Sequence, residues 1–162
     1  MEQLSLFDEP LPYKYIIDSS SMISQKADEI HRRKVSKRMW EWIDSLVRDK
    51  IIVTCTEISS EVDDDEMVKN WLKSERCVVL PVDDQIQRNV ITVVTQQPLL
   101  IDFRKMKSSG DAFLIATAMK YNLVIITEER KNSPKKIPQV AASLGIESVN
   151  IIELCEREDK EF

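Results

Sequence analysis

The chain has 162 residues, 43% of them apolar and 31% charged, proportions close to globular averages that exclude wholesale disorder and collagen-like or coiled-coil architectures. A chain this long buries roughly two thirds of its unfolded surface and needs no disulfide or metal staple to fold. With 28 acidic against 23 basic side chains the net charge is −5, which argues against a broad, non-specific coat on nucleic acid but permits local contact with a phosphate backbone.

Residues 1–12 read as an extended N-terminal tail, because Pro10 and Pro12 disfavour helix and cannot donate strand hydrogen bonds. Tyr13 to Asp18 then reads as a buried first strand, ended by the run Asp18 to Ser21. Val35, Met39, Ile43, Leu46 and Val47 recur at helical spacing, so Val35 to Asp49 is expected to form an amphipathic helix. Ile51 to Thr54 follows as a second strand, and two short helices broken near Asp63 to Asp65 lead to a third at Cys77 to Leu80.

Ile86, Val90, Val93 and Val94 again keep helical spacing up to Pro98. Ser108 to Asp111 supplies capping chemistry for a nearly all-round apolar helix from Ala112 to Met119, which belongs deep in the fold. Leu123 to Ile126 reads as a strand, Pro138 to Leu144 as a helix closed by Gly145, and Val149 to Ile152 as the last strand. The domain is therefore expected over 13–155, with 156–162 a charged C-terminal tail. Strands of Val and Ile runs that alternate with helices predict an α/β fold with a parallel sheet covered on both faces.

The rarer residues narrow the chemistry. Gly110 and Gly145 are the only glycines, too few for a phosphate-cradling loop of the P-loop or dinucleotide type. Cys55, Cys77 and Cys155 are odd in number and far apart, which supports neither a disulfide framework nor a zinc knuckle and fits a reducing cytoplasmic location. The one histidine, His31, sits in the run His31-Arg32-Arg33-Lys34; a solvated basic run is its plain reading, and histidine-based nucleophilic or multi-histidine metal sites are disfavoured. No basic start precedes an apolar leader, and no window approaches ~18 uninterrupted apolar residues, so membrane spanning is disfavoured.

Open parallel sheets place their sites beyond the carboxyl ends of the strands. Those positions are acidic here: Asp18 closes the first strand, Glu128 and Glu129 follow the fourth, Asp111 opens the apolar helix and Glu61 follows the second strand. Each has a structural alternative, Asp18 and Asp111 as helix caps, Glu61 and Glu129 as solvent-facing residues. As a group they would repel one another unless a cation neutralises them. Hard oxygen ligands point to Mg²⁺ or Mn²⁺, ions that activate water for phosphodiester hydrolysis.

Four segments carry a family resemblance: Tyr15-Ile16-Ile17-Asp18-Ser19-Ser20, Ile52-Val53-Thr54 leading to Glu61, Gly110-Asp111-Ala112-Phe113-Leu114-Ile115-Ala116, and Val124-Ile125-Ile126-Thr127-Glu128-Glu129. In this order the chain resembles the PIN-domain nucleases, and among them the VapC-type toxin ribonucleases. The resemblance implies a three-layer α/β/α fold with a mostly parallel five-stranded sheet, homodimerisation, metal-dependent cleavage of single-stranded RNA and a neutralising antitoxin partner. It assigns the metal to Asp18, Glu61, Asp111 and Glu129; the family usually has Asp at the fourth position, where this chain has Glu129 with Glu128 beside it, so the choice between the two glutamates stays open. Ser20 and Thr127 are the hydroxyls expected to orient a carboxylate or water, and Lys131, Lys135 and Lys136 the cations expected to grip substrate phosphate.

The competing readings are an inactive PIN-fold partner-binding module and an aspartyl-phosphate protein. Against the latter, Ser20 stands where a second Asp of an Asp-x-Asp pair would be, and Leu80-Pro81-Val82 holds no phosphoacceptor. In the tail, Gln3, Leu4, Leu6 and Phe7 match the short peptide by which many bacterial proteins dock on the DNA-polymerase sliding clamp. Packing of Leu4, Leu6 and Phe7 on the protein's own sheet or on a dimer partner is the plainer reading and the one favoured.

Overall fold

Tyr15, Ile16 and Ile17 form β1 (Tyr15–Ile17), buried along its whole length because it is the middle strand of the sheet. The computed structural model describes residues 10–96, 110–132 and 136–162. In chain order the elements that follow are α1 (Ser19–Ile23), α2 (Lys37–Arg48), β2 (Ile52–Cys55), α3 (Thr56–Glu61), α4 (Glu66–Ser74), β3 (Val79–Leu80) and α5 (Asp84–Gln96). The second half holds α6 (Asp111–Tyr121), β4 (Val124–Ile126), α7 (Ile137–Ser143), β5 (Ser148–Val149) and α8 (Ile151–Arg157).

The strands order as β3-β2-β1-β4-β5 and pair in parallel throughout. Tyr15 stands level with Ile52 on one side and Val124 on the other, and Ile17 level with Ile126. Right-handed crossovers put α2 and α4, which carry the chain from β1 out to β3, on one face, while α3 lies at the carboxyl end of the sheet and reaches α6. The same rule puts α5, α6 and α7, which return it through β4 to β5, on the other. Packing agrees: Trp40 of α2 meets Trp71 of α4 edge to face at 6.1 Å, while Asn89 of α5 donates to the Ala116 carbonyl of α6 at 3.1 Å. The fold is α/β, three layers deep.

The all-round apolar character of α6 is explained by its position. Ala112, Leu114, Ile115, Ala116, Thr117 and Ala118 are all buried, because the helix crosses β1, β2 and β4 under a cover of α5. Gly145, at φ +75°, ends α7 in the left-handed region as expected.

Several expectations need correction. The last strand stops at Val149, because Asn150 caps α8 in a reciprocal box with Glu153; Ile151 and Ile152 are helical. That helix also runs into the stretch expected as a C-terminal tail, whose last residue, Phe162, lies against Trp42 with ring centroids 5.7 Å apart. The third strand is reduced to Val79–Leu80. Val35 lies before α2 and is 74% exposed, so the apolar face of that helix begins at Met39.

The basic run is only partly solvated, with Arg32 and Lys34 exposed. His31 is buried, and Arg33 forks onto the Asp44 carboxylate at 2.9 and 2.6 Å while lying over the Trp40 ring. The expectations placed on Gln3, Leu4, Leu6, Phe7 and Lys135 lie outside the described residues. Among the described residues, no helix is long and apolar enough to cross a membrane.

Candidate active site

The chain leaves β1 for β2 and β3 on one side, then crosses to β4 on the other. The order of the strands therefore reverses between β1 and β4, and the carboxyl ends of these two strands frame the crevice in which such sheets bind ligands. Asp18 and Thr127 are the first residues past those ends, and the Asp18 N–H donates to the Ile126 carbonyl at 2.9 Å. On the other side of β1, the buried Thr54 hydroxyl donates to the Ile17 carbonyl at 3.0 Å.

Asp18 is almost fully buried, at 2% exposure, and occupies the N-cap position of α1 without using its side chain as a cap. The helix-cap alternative thus fails for this residue. Its carboxylate is held elsewhere: the Ser20 and Thr127 hydroxyls both reach Oδ2, at 2.8 and 3.0 Å. Each hydroxyl accepts a backbone N–H, Ser20 from Glu128 at 3.0 Å and Thr127 from Glu129 at 3.2 Å. A hydroxyl that accepts from an amide keeps its single hydrogen for another acceptor, so the turn after β4 aims both hydrogens at Asp18. Burial raises the Asp18 pKa, and the two hydroxyls oppose that rise.

Glu61 reaches the crevice from the end of α3. The residue as a whole is exposed, but its carboxyl end lies against Gly110 and within 3.3 Å of the Ser19 hydroxyl. Desolvation there, followed by the charge of Asp18 and, more weakly, those of Glu129 and Glu57, pushes its pKa up to about 7, with the Ser19 hydroxyl opposing. Gly110, at φ +79°, has no room for a side chain: a β-carbon would come within 2.6 Å of Glu61 Oε1. Asp111 follows it as the first residue of α6, where a carboxylate is favoured by the helix dipole. Its α6 terminus is therefore brought against Glu61.

The two glutamates after β4 part ways. Glu128 turns its carboxylate to His31 Nε2 at 2.6 Å and to the Ile151 N–H at 3.0 Å. Glu129 accepts the Ile137 N–H at 3.1 Å and contributes to the charge felt by Glu61. Of the expected phosphate-gripping cations, the exposed Lys131 is paired with the half-buried Glu153, a weak surface contact, and Lys136 precedes α7. Sequence reading missed Ser19 and His31. Ser19 was legible in the Asp18-Ser19-Ser20 triplet, whereas His31 has its partner 97 positions away, beyond any local pattern.

The model of a domain of unknown function, DUF4411, matches residues 15–162. The chain belongs to the DUF4411 family. The match starts at the first residue of β1 and so takes in Asp18, Glu61, Asp111 and Glu129. No curated protein matches this DUF4411 chain. Among solved structures it is similar to the crystal structure of PAE2754 from Pyrobaculum aerophilum, at 14% identity and a TM-score of 0.53 over 93% of this chain and 92% of that one. At such identity the likeness concerns the fold alone.

Among the described residues, no three His, Cys, Asp or Glu side chains already stand together as a formed metal site. The donors at the crevice nevertheless suit a hard cation. Asp18, Glu61 and Glu129 raise the local proton affinity by crowding like charges, a repulsion that a divalent ion relieves. Competing soft donors are otherwise engaged: His31 is committed to Glu128, and burial pushes the Cys55 and Cys77 thiols up to about 11 and about 12. Oxygen donors alone fit Mg²⁺ or Mn²⁺.

Proposed function

We propose that this DUF4411 chain is a Mg²⁺- or Mn²⁺-dependent endoribonuclease of the PIN type, hydrolysing phosphodiester bonds in single-stranded RNA. The observation that carries the reading is the convergence of Asp18 and Glu61 at the strand-order switch, with Glu61 driven to a pKa of about 7 by burial and by Asp18. Asp18, Glu61, Asp111 and Glu129 are the residues that would hold the ion. When bound, it polarises a phosphoryl oxygen and lowers the pKa of a bound water.

The chain's own part is to position and to handle protons. Ser20 and Thr127 fix the Asp18 carboxylate, so its orientation is set before any ion arrives. Glu61, with its pKa raised to about 7, would hold an ion as the carboxylate and would release its proton to solvent to do so. In the reaction a water oxygen forms a bond to phosphorus while the bond to the departing ribose oxygen breaks; the water proton passes to solvent, and the departing oxygen takes up a proton from solvent to leave as a hydroxyl. Lys131 and Lys136, beyond β4, follow the backbone of the substrate.

The same reading carries a cytoplasmic setting, a homodimer and a neutralising antitoxin as partner. The N-terminal segment Gln3, Leu4, Leu6 and Phe7 is proposed to dock on a sliding clamp. The test of the activity is cleavage of single-stranded RNA with Mg²⁺ or Mn²⁺, with chelator, and with Asp18→Asn, alongside single-stranded DNA. Cleavage lost in chelator and in the variant supports the reading. Undiminished cleavage in chelator overturns the metal mechanism, and no cleavage together with no Mn²⁺ binding leaves the inactive partner-binding module.

A further inference from the structure

We infer that His31 is a positioning residue of the proposed nuclease site, acting on Asp18 through Glu128 and Ser20. The inference rests on the reading of the crevice as a metal-dependent active site and adds to it a residue from outside the acidic set.

The connection is continuous. His31 Nε2 lies 2.6 Å from Glu128 Oε1, the Glu128 N–H donates to Ser20 Oγ at 3.0 Å, and the Ser20 hydroxyl donates to Asp18 Oδ2 at 2.8 Å. The second oxygen of Glu128 accepts the Ile151 N–H at 3.0 Å. Glu128 is thus tied on both oxygens, and its backbone, which serves the site, is fixed by its side chain, which does not.

His31 is itself immobilised. It is 7% exposed, its N–H donates to the Ser24 carbonyl at 3.0 Å, and its carbonyl accepts the Trp40 indole N–H at 2.5 Å. The stretch 24–36 around it has no regular secondary structure but is pinned at both ends, by Lys26 on Asp65 at 2.6 Å and by Arg33 on Asp44. A rigid loop that starts beside the site and returns a buried imidazole to the turn after β4 has the geometry of a brace. Groups that orient metal-binding carboxylates from behind change metal affinity or activity by about 10–100-fold when removed.

The experiment compares His31→Leu with His31→Gln, whose amide nitrogen can replace Nε2 toward Glu128. Three quantities are read: Mn²⁺ affinity by calorimetry, kcat and KM on single-stranded RNA, and amide exchange of Glu128 and Glu129 in metal-free protein. His31→Leu is expected to weaken Mn²⁺ about tenfold and lower kcat similarly with KM little changed, and to speed exchange at both amides, while His31→Gln restores all three. In a Ser20→Ala background the same change at His31 should cost no further Mn²⁺ affinity. Should His31→Leu not fold, Glu128→Gln is compared with His31→Gln by the same measurements.

Equal behaviour of His31→Leu and wild type, additive losses in the Ser20→Ala background, or failure of His31→Gln to rescue overturns the positioning role. Wild-type protein that binds no Mn²⁺ overturns instead the metal reading on which it rests.

Discussion

Glu61 Oε1 fills the space where a β-carbon on residue 110 would stand, 2.6 Å from that position. Gly110 also holds φ +79°, a region that costs a non-glycine residue about 1–2 kcal/mol. Gly110→Ala should therefore destabilise the fold by about that amount and displace the Glu61 carboxyl, the softer of the two partners in the clash. Chemical denaturation measures the first effect and Mn²⁺ calorimetry the second; unchanged Mn²⁺ affinity would remove Glu61 from the proposed ligand set.

The pH dependence has a definite sign. Glu61 has a folded pKa of about 7 against an ordinary 4.5, so the folded state holds this proton more tightly than the unfolded chain. The stabilisation from the bound proton is complete below about 4.5 and disappears as pH rises through about 7. Metal-free wild type should lose melting temperature relative to Glu61→Gln across that interval. Mn²⁺ affinity should rise over the same range, because the entering ion displaces the proton.

Asp18→Asn preserves the shape of a buried side chain and one oxygen to receive the Ser20 and Thr127 hydroxyls. Removing a charge whose burial is unfavourable should leave the melting temperature of the metal-free protein unchanged or higher. RNA cleavage should fall by more than about a hundredfold, beyond the loss typical of residues behind a metal. Thermal unfolding and a cleavage assay on the same preparation separate the two.

Asp44 is a different kind of carboxylate. It accepts both Arg33 guanidinium nitrogens and the Trp71 indole N–H at 2.7 Å, joining the 24–36 loop to α2 and α4. Asp44→Ala leaves two guanidinium nitrogens of Arg33 and the Trp71 indole N–H without their acceptor, with only the Arg33 Nε bond to Gln25 kept, and should cost about 3 kcal/mol by denaturant titration. Asp44→Asn should cost less.

Much of this architecture was legible because its determinants are local. The Val and Ile runs of β1, β2 and β4 and the unbroken apolar surface of α6 have no stable place except in a covered parallel sheet. Asp18 and Glu129 could be named because a strand end is visible in the sequence. Elements fixed by partners far along the chain were not legible. Ile151 and Ile152 read as strand until the Asn150 to Glu153 cap is seen to begin a helix, and His31 reads as solvated until Glu128 is brought to it. Glu128 and Glu129 differ only in which neighbours their side chains meet, a distinction that no spacing encodes.

The bond between Thr127 and Asp18 closes a loop of 109 positions, and the brace from His31 to Glu128 closes one of 97. Closing such loops comes late, since their entropy is lost before the contacts reward it. During synthesis Asp18 and Ser20 emerge together, at least 107 positions ahead of Thr127 and the turn after β4. On the proposed nuclease reading, a ribosome carrying this chain holds no complete site beside its message before the turn after β4 has emerged, and fragments that stop before β4 keep Ser20 but lack Thr127 and the Glu128 amide that complete the hold on Asp18.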